Sequence, residues 1–211
     1  YFFIFKIGNR ILFTRNDTLF NVRIMSENLS DLIKSISIRA RGASLSLSGA
    51  TESDKNNALE AIAKGLESNR KILLEENQKD LDAAAENNLS SAMIDRLQLD
   101  HERIDAMAKG IRQLIDLTDP VGEIIESKKR PNGLEIRKTR VPIGVIGIIY
   151  ESRPNVTIDC AGLCLKSGNA SILRGGKEAQ YSNRALAKII STVLKDSPLP
   201  DDAVQLIETT D

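Results

Sequence analysis

A nearly continuous apolar run from Val141 to Tyr150 constrains the fold of this chain more than any other sequence feature. The run is too short to cross a membrane, which takes about 20 apolar residues, but it suits a strand buried on both faces of a parallel sheet. The segments that follow predict a helix over 154–166, a strand over 170–174, a helix over 177–194 and a strand over 204–207. Strands that alternate with helices in this order predict an α/β fold with a parallel sheet.

The segment from about Leu29 to Leu117 has a helical pattern almost throughout. Apolar residues recur there at i, i+3, i+4 and i+7 in two sets, which are Leu59, Ile62, Ala63 and Leu66, and Ile104, Met107, Ala108 and Ile111. Each set predicts one buried stripe on a helix. Thr51 and Asp54 have the spacing of a capping box, which predicts a helix start near Glu52.

Residues 121–140 have the pattern of a β-hairpin. Residues 121–127 predict a short strand, Pro131-Asn132-Gly133 is a strong turn signal, and residues 134–140 alternate apolar with polar side chains. The alternation predicts a ribbon with one solvated face.

The charge balance excludes one large class of partners. Lys plus Arg and Asp plus Glu are equal, at 29 each, so no overall field attracts nucleic acid. An anionic ligand therefore needs a local site. Apolar residues at 41% and aromatic residues at only 4% are typical of a soluble, helix-rich α/β protein.

The cysteines and the single histidine offer no catalytic or metal site. Cys160 and Cys164 lie four residues apart, in neither a redox nor a zinc pattern, and we interpret them as small buried hydrophobes. His101 is far in sequence from the α/β segment, so neither a Ser-His-Asp triad nor a metal centre is expected.

Two predicted strand ends carry the candidate chemistry, because open parallel sheets bind ligands beyond the carboxyl ends of their strands. The first comprises residues 150–155. In the second, Arg174 and Lys177 flank Gly175 and Gly176, which allow close backbone approach and form a plausible phosphate cradle. A solvated glycine turn is the alternative. Neither the G-x-G-x-x-G fingerprint nor a P-loop is present.

Several segments closely resemble the gamma-glutamyl phosphate reductases of the aldehyde dehydrogenase superfamily. They are residues 119–122, 130–133, 141–155, 164–169, 172–179, 182–183 and 204–206, so the resemblance covers roughly residue 29 to the end. It implies an aldehyde dehydrogenase-like α/β fold with a helical amino-terminal region, an incomplete doubly wound parallel sheet and a protruding hairpin. Superfamily members hold the dinucleotide without the usual glycine fingerprint, which accounts for its absence.

The resemblance also implies which residues contact the cofactor. Ile149, Tyr150, Glu151 and Ser152 match the strand end that passes the nicotinamide ribose and pyrophosphate, and Arg174, Gly175, Gly176 and Lys177 match the adenosine side. Arg174 corresponds to the lysine that contacts the adenine ribose. Lys177 stands where NAD-using relatives carry a glutamate. A lysine attracts a 2′-phosphate that a glutamate repels, so NADP(H) is the expected cofactor.

By the same resemblance, the expected reaction is reduction of L-glutamyl 5-phosphate to L-glutamate 5-semialdehyde in proline biosynthesis. Ser152 and Asn155 are competing candidates for contact with the oxyanion. Arg153 is predicted either to meet the acyl phosphate or the substrate carboxylate or to form a structural salt bridge. The resemblance places the catalytic cysteine in a second domain, after all residues of this chain, so we expect the 211 residues alone to be inactive.

The domain prediction follows from the same comparison. Residues 1–24 are interpreted as a non-native or disordered extension before Met25, and residues 25–211 as a partial NADP-binding domain without the catalytic cysteine domain. The hairpin at 121–140 resembles an oligomerisation ribbon, which implies self-association. A cytoplasmic location without membrane or nucleic-acid partners is expected. Another acyl-reducing or aldehyde-oxidising member of the superfamily, and a non-catalytic nucleotide-binding or interaction protein, remain as alternatives.

Overall fold

The computed structural model describes the backbone of residues 18–209 and the side chains of residues 29–209. All side chains of the predicted extension at 1–24 lie outside the described residues, so the extension stays a prediction. The chain divides into two compact units, residues 1–35 and 36–211. Helix α1, Thr18–Leu47, contains the boundary between them.

The described chain forms seven α-helices and five strands. After α1 the helices are α2 (Glu52–Ser68), α3 (Arg70–Glu86), α4 (Ser91–Leu97), α5 (His101–Ile115), α6 (Pro154–Lys166) and α7 (Gln180–Lys195). The strands are β1 (Ile124–Lys129), β2 (Glu135–Thr139), β3 (Val145–Ile149), β4 (Ala170–Arg174) and β5 (Val204–Leu206). One-turn 3₁₀ helices at Lys177–Ala179 and Asp201–Ala203 precede α7 and β5. No described helix has the length and apolar character that a membrane crossing requires.

The predicted capping box starts α2. The Thr51 hydroxyl accepts from the backbone N–H of Asp54 at 3.1 Å, while the Asp54 carboxylate accepts from the Thr51 backbone N–H at 3.3 Å. Two N–H groups that lack helical partners are thereby satisfied. The prediction of a helix start at Glu52 is confirmed.

The second half of the chain forms the predicted parallel unit. Strands β3, β4 and β5 are adjacent in that order, and both pairings are parallel. The register places Val145 opposite Ala170 and Ile149 opposite Arg174. The α/β prediction is confirmed, with α6 and β4 at their predicted bounds.

Two burial predictions are wrong. Strand β3 is not buried on both faces: its residues are half-buried or exposed, and Ile149 is 77% exposed. The hairpin forms with Gly133 in its turn at a φ of 87°, as the turn signal predicted, but it has no buried face. All residues of β1 and β2 are exposed, because the two strands pair with each other in a separate two-stranded sheet.

The core lies among α2, α5, α6 and α7, which pack against one another. Both predicted apolar stripes are buried there; their residues are Leu59, Ile62, Ala63 and Leu66 on α2, and Ile104, Met107, Ala108 and Ile111 on α5. Each fully buried Leu or Ile side chain contributes roughly 1.5–3 kcal/mol through removal of apolar surface from water. These helices therefore form a rigid support behind the parallel strands.

Two polar residues of the family-like segments hold elements together. Lys166, at the end of α6, is buried, and its ammonium donates to Asn56 Oδ1 at 2.8 Å and to the Ile115 carbonyl at 3.2 Å. The Asn169 side chain accepts from the Gly144 backbone N–H at 2.9 Å, just before β3. Both side chains are buried, and buried polar groups require such hydrogen-bond partners.

The buried carboxylate of Asp80 on α3 fixes the start of α7. It accepts from the backbone N–H of Tyr181 at 3.0 Å and from that of Ser182 at 2.8 Å, and it also accepts from the Ser182 hydroxyl at 2.6 Å. Burial raises the pKa of Asp80, while the hydrogen bonds from Ser182 and Tyr181 oppose that shift. A side chain from a distant helix thus performs the capping function that residues next to α7 do not provide.

We expect Asp80→Asn to lower the free energy of unfolding by about 2 kcal/mol, because the amide presents N–H donors to the N–H groups of α7. Urea denaturation followed by circular dichroism measures the change. Asp82→Asn, on the exposed side of the same helix, is the matched control and is expected to change stability by no more than about 0.5 kcal/mol. Equal stability of the two variants would contradict the capping role of Asp80.

Candidate functional site

The two predicted strand ends lie side by side. Tyr150 directly follows β3, and its backbone N–H donates to the Arg174 carbonyl at the end of β4, at 3.0 Å. Because the strands are parallel, both carboxyl ends meet at the same edge of the sheet. The structure therefore brings residues 150–155 and 174–177 into one region, as expected.

The glycine turn is packed tightly against the first strand end. A Cβ atom at Gly175 would overlap the Asn183 amide and lie 3.1 Å from the Tyr150 ring. One at Gly176 would overlap the Ser152 hydroxyl and lie 3.0 Å from the Ser152 backbone nitrogen. Both glycines are required by close approach. The turn is a packed part of the site, and the alternative of a simple solvated connection does not describe it.

Two hydrogen bonds connect the first strand end to α6 and α7. The Tyr150 hydroxyl lies 2.7 Å from Thr157 Oγ1, and the Thr157 hydroxyl donates to Asn183 Oδ1 at 2.8 Å. Since the only Thr157 hydroxyl proton is directed to Asn183, Tyr150 is the donor of the first bond. Burial raises the pKa of Tyr150 to about 12, so the phenol stays protonated at neutral pH.

Sequence reasoning missed Thr157 and Asn183. Asn183 belongs to the family-like pair at 182–183, which was the available signal, but only the fold shows that its amide lies against Gly175. Thr157 is fully buried on α6 and joins that helix to α7. Together these side chains hold the glycine turn in place.

Glu178 is an acidic neighbour that the sequence did not indicate. Its carboxylate accepts the hydroxyl hydrogen of Ser152, and this bond is the main cause that lowers the pKa of Glu178. Glu178 Oε2 also lies 3.0 Å from the position of a Cβ at Gly176. The hydroxyl of Ser152, one of the two oxyanion candidates, is therefore directed to Glu178 and the glycine turn.

Arg174 and Lys177, the two cations of the predicted phosphate cradle, line a small groove beside the glycine turn. Its other lining residues are Gly175, Gly176, Gln180, Asn183, Arg184, Leu206, Ile207 and Glu208. Lys177 is exposed, and no carboxylate of the described residues forms an ion pair with it within 4 Å. The Arg174 guanidinium donates to the Gly175 carbonyl at 2.5 Å. Of the three cations that line the groove, Arg174 and Lys177 flank the glycine turn, and Arg184 pairs with Glu208 at 3.2 Å.

A second cleft lies beside the same strand end, and we call it the arginine cleft. Its lining residues are Asp95, Arg96, Gln98, Leu99, Arg103, Ala106, Met107, Arg153, Pro154, Asn155 and Asp159, around about 550 Å³. Arg96 reaches Glu151 of the strand end at 3.5 Å. Asn155, the other oxyanion candidate, donates to Asp159 at 3.1 Å. Arg153 and Asn155 therefore belong to a different pocket from the glycine turn.

The cysteines have the inert character that the sequence predicted. Cys164 is buried, and burial raises the pKa of its thiol to about 11. Cys160 is half-buried, and burial likewise raises the pKa of its thiol. Both thiols stay protonated at neutral pH, so neither provides a reactive thiolate. Among the residues with described side chains, no three His, Cys, Asp or Glu side chains are grouped as a metal site requires.

Comparisons with known proteins point to one enzyme family. The chain is 53% identical over 187 residues to a gamma-glutamyl phosphate reductase of Opitutus terrae, covering 89% of this chain and 44% of the relative. It is 55% identical over 172 residues to a gamma-glutamyl phosphate reductase of Clostridium botulinum, covering 82% of this chain and 42% of the relative. The chain therefore spans less than half the length of these relatives. No protein-family model matches it.

Solved structures agree with the sequence comparison. The gamma-glutamyl phosphate reductase of Thermotoga maritima superimposes with a TM-score of 0.83 at 46% identity, covering 84% of this chain and 43% of that structure. A glyceraldehyde-3-phosphate dehydrogenase of Methanocaldococcus jannaschii, complexed with NADP, shares the fold with a TM-score of 0.58 at 18% identity. The match covers 84% of this chain and 36% of that structure. Sequence and fold together place this chain among the homologues of gamma-glutamyl phosphate reductase, with an aldehyde dehydrogenase-like fold.

Proposed function

We propose that this chain is the cofactor-binding part of an NADPH-dependent enzyme that reduces L-glutamyl 5-phosphate to L-glutamate 5-semialdehyde in L-proline biosynthesis. The observation that carries the proposal is the contact between the two strand ends, which places a cationic glycine turn beside Tyr150 and Ser152. The identity of 53–55% to gamma-glutamyl phosphate reductases supports the same reaction. Reduction of the acyl phosphate needs a hydride, which NADPH supplies when bound.

The charges at the glycine turn suit the adenosine end of a phosphorylated dinucleotide. Arg174 and Lys177 flank the turn, and their positive charges complement a 2′-phosphate on the adenosine ribose. We assign the cofactor contacts to Ile149, Tyr150, Glu151, Ser152, Arg174, Gly175, Gly176 and Lys177. The M. jannaschii neighbour, whose fold is similar, is complexed with NADP, which supports a dinucleotide of this kind as the cofactor.

Lys177 favours NADP(H) over NAD(H) in this proposal. Its ammonium is exposed at the groove, and an ammonium attracts the 2′-phosphate that distinguishes the two cofactors. Glu178 lies next to it but is engaged by the Ser152 hydroxyl. The carboxylate is therefore directed to the strand end.

The nucleophile in this proposal is a cysteine outside these 211 residues. The chemistry needs a thiolate to attack the acyl phosphate and release phosphate. Burial raises the pKa of Cys160 and of Cys164, which is the opposite of what a nucleophile needs. The role of this chain is then to hold the cofactor and part of the substrate, with Ser152 or Asn155 as the oxyanion contact.

The hairpin is the proposed surface for self-association. Its strands and turn expose Ile124, Ile125, Leu134 and Ile136, which are 45–57% accessible. Exposed apolar residues on a two-stranded ribbon favour burial against another surface. We further propose that the enzyme acts in the cytoplasm on a small-molecule substrate without a nucleic-acid partner.

We expect Lys177→Glu to raise the Kd for NADPH at least about tenfold and to change the Kd for NADH little, because the carboxylate repels only the 2′-phosphate. Fluorescence titration of the protein expressed from its own gene measures both constants. Lys109→Glu changes an exposed lysine of α5 by the same charge and serves as the control. Equal weakening of both cofactors would remove the NADP assignment.

Gly176→Ala is expected to weaken NADPH binding at least about tenfold, because the new methyl group overlaps Ser152 and separates the glycine turn from the strand end. The same titration measures the effect. Gly110→Ala is the matched control, since a Cβ there meets no atom within 4 Å. If Gly176→Ala bound NADPH as well as Gly110→Ala does, the tight approach at the turn would have no part in cofactor binding.

A further inference from the structure

The strand end after β3 contributes side chains to two different pockets. Ser152 contacts Glu178 and the glycine turn, whereas Glu151 pairs with Arg96 and Arg153 lines the arginine cleft. The chain bends at Ser152, because the Arg153 N–H donates to the Glu151 carbonyl at 2.8 Å. The bend leaves Ser152 against the glycine turn while the next residue lines the arginine cleft. The arginine cleft is therefore a neighbour of the proposed cofactor groove across a single stretch of backbone.

Two of the three guanidinium groups in the cleft are available to a ligand. Arg103 is committed to the protein, because it donates to the Gln98 carbonyl at 2.8 Å and to the Asp95 carboxylate at 2.7 Å. These bonds hold the end of α4, which carries Arg96. Arg96 has only the 3.5 Å contact with Glu151, and no carboxylate of the described side chains pairs with Arg153 within 4 Å.

The cleft also contains an acid that retains acceptor capacity. Asp159, on α6, is half-buried and accepts one hydrogen bond from Asn155 at 3.1 Å. A carboxylate has acceptor sites for about four hydrogen bonds, so several remain. Burial raises the pKa of Asp159, which a positively charged ligand group would offset. Asp95, the other acid of the cleft, already pairs with Arg103.

Cations and an acid in one cleft match a zwitterion. An α-amino acid head carries a carboxylate, which arginine holds through paired N–H donors, and an ammonium, which a carboxylate accepts. A simple aldehyde or acyl group offers neither charge. The volume of about 550 Å³ is within the range of small-molecule sites.

We infer that the arginine cleft binds the α-amino acid head of the substrate, with Arg153 and Arg96 on the α-carboxylate and Asp159 on the α-ammonium. The inference rests on the proposed function, since L-glutamyl 5-phosphate carries such a head at the end opposite its acyl phosphate. It assigns substrate selection to three side chains that do not line the groove beside the glycine turn.

The test compares L-glutamate with glutarate, which has the same two carboxylates but no ammonium. Calorimetric titration of the protein expressed from its own gene is expected to give L-glutamate a Kd about tenfold lower than that of glutarate. Arg153→Ala is expected to weaken both ligands. Asp159→Asn is expected to abolish the preference, because the amide cannot replace the carboxylate as a partner for the ammonium.

Two matched controls separate the cleft from general charge effects. Arg130→Ala, in the hairpin turn, and Asp116→Asn, at the end of α5, change exposed residues of the same types and are expected to keep the preference. Equal Kd values for the two ligands in the unaltered protein, or an undiminished preference in Asp159→Asn, overturn the inference.

Titration of the same samples with NADPH distinguishes this inference from the proposed function. NADPH binding without a preference for L-glutamate refutes the assignment of the cleft and leaves the cofactor proposal intact. A preference for L-glutamate that depends on Asp159, in a protein that does not bind NADPH, supports the cleft and refutes the cofactor proposal.

Discussion

The parallel pairing of β3 with β4 is the constraint on which the rest of this site depends. The register that sets Ile149 opposite Arg174 brings Tyr150 against the glycine turn. A shift of one residue would turn each side chain of β3 to the opposite face of the sheet. Ser152 would then no longer face Gly176, and Arg153 would leave the arginine cleft. Both proposed pockets thus depend on the same set of backbone hydrogen bonds.

Buried hydrogen bonds between the helices hold the glycine turn in position beside the strands. Asp80 of α3 holds the start of α7, and Asn183 of α7 accepts from Thr157 of α6 beneath Gly175. Each of these groups is buried and hydrogen-bonded, so removing one partner leaves another without compensation. The glycine turn is therefore supported by helices that are remote in sequence. A cofactor site needs this rigidity, because positioning groups before a ligand arrives reduces the entropy lost on binding.

Local patterns were enough to predict much of the architecture. The bounds of α6 and β4, the capping box at Thr51 and the buried stripe of α2 follow from interactions within a few residues, so the sequence contains the information directly. The juxtaposition of residues 150–155 with 174–177 was also predictable, because consecutive parallel strands end at the same edge. Burial was less predictable. The apolar run at 141–150 suggested two covered faces, but coverage depends on which distant elements pack over each face of the sheet, and Ile149 is exposed.

By itself, the sequence determined the helices, the strands and the glycine turn with its flanking cations, because propensity, periodicity and turn chemistry act over short stretches of chain. Only the tertiary structure decided which side chains support that turn. Ser152 and Glu178 are separated by 26 residues, Asp80 and Ser182 by 102, and Arg96 and Glu151 by 55. No local pattern encodes such distant contacts; packing of the helices against the sheet creates them, and with them the division of one strand end between two pockets.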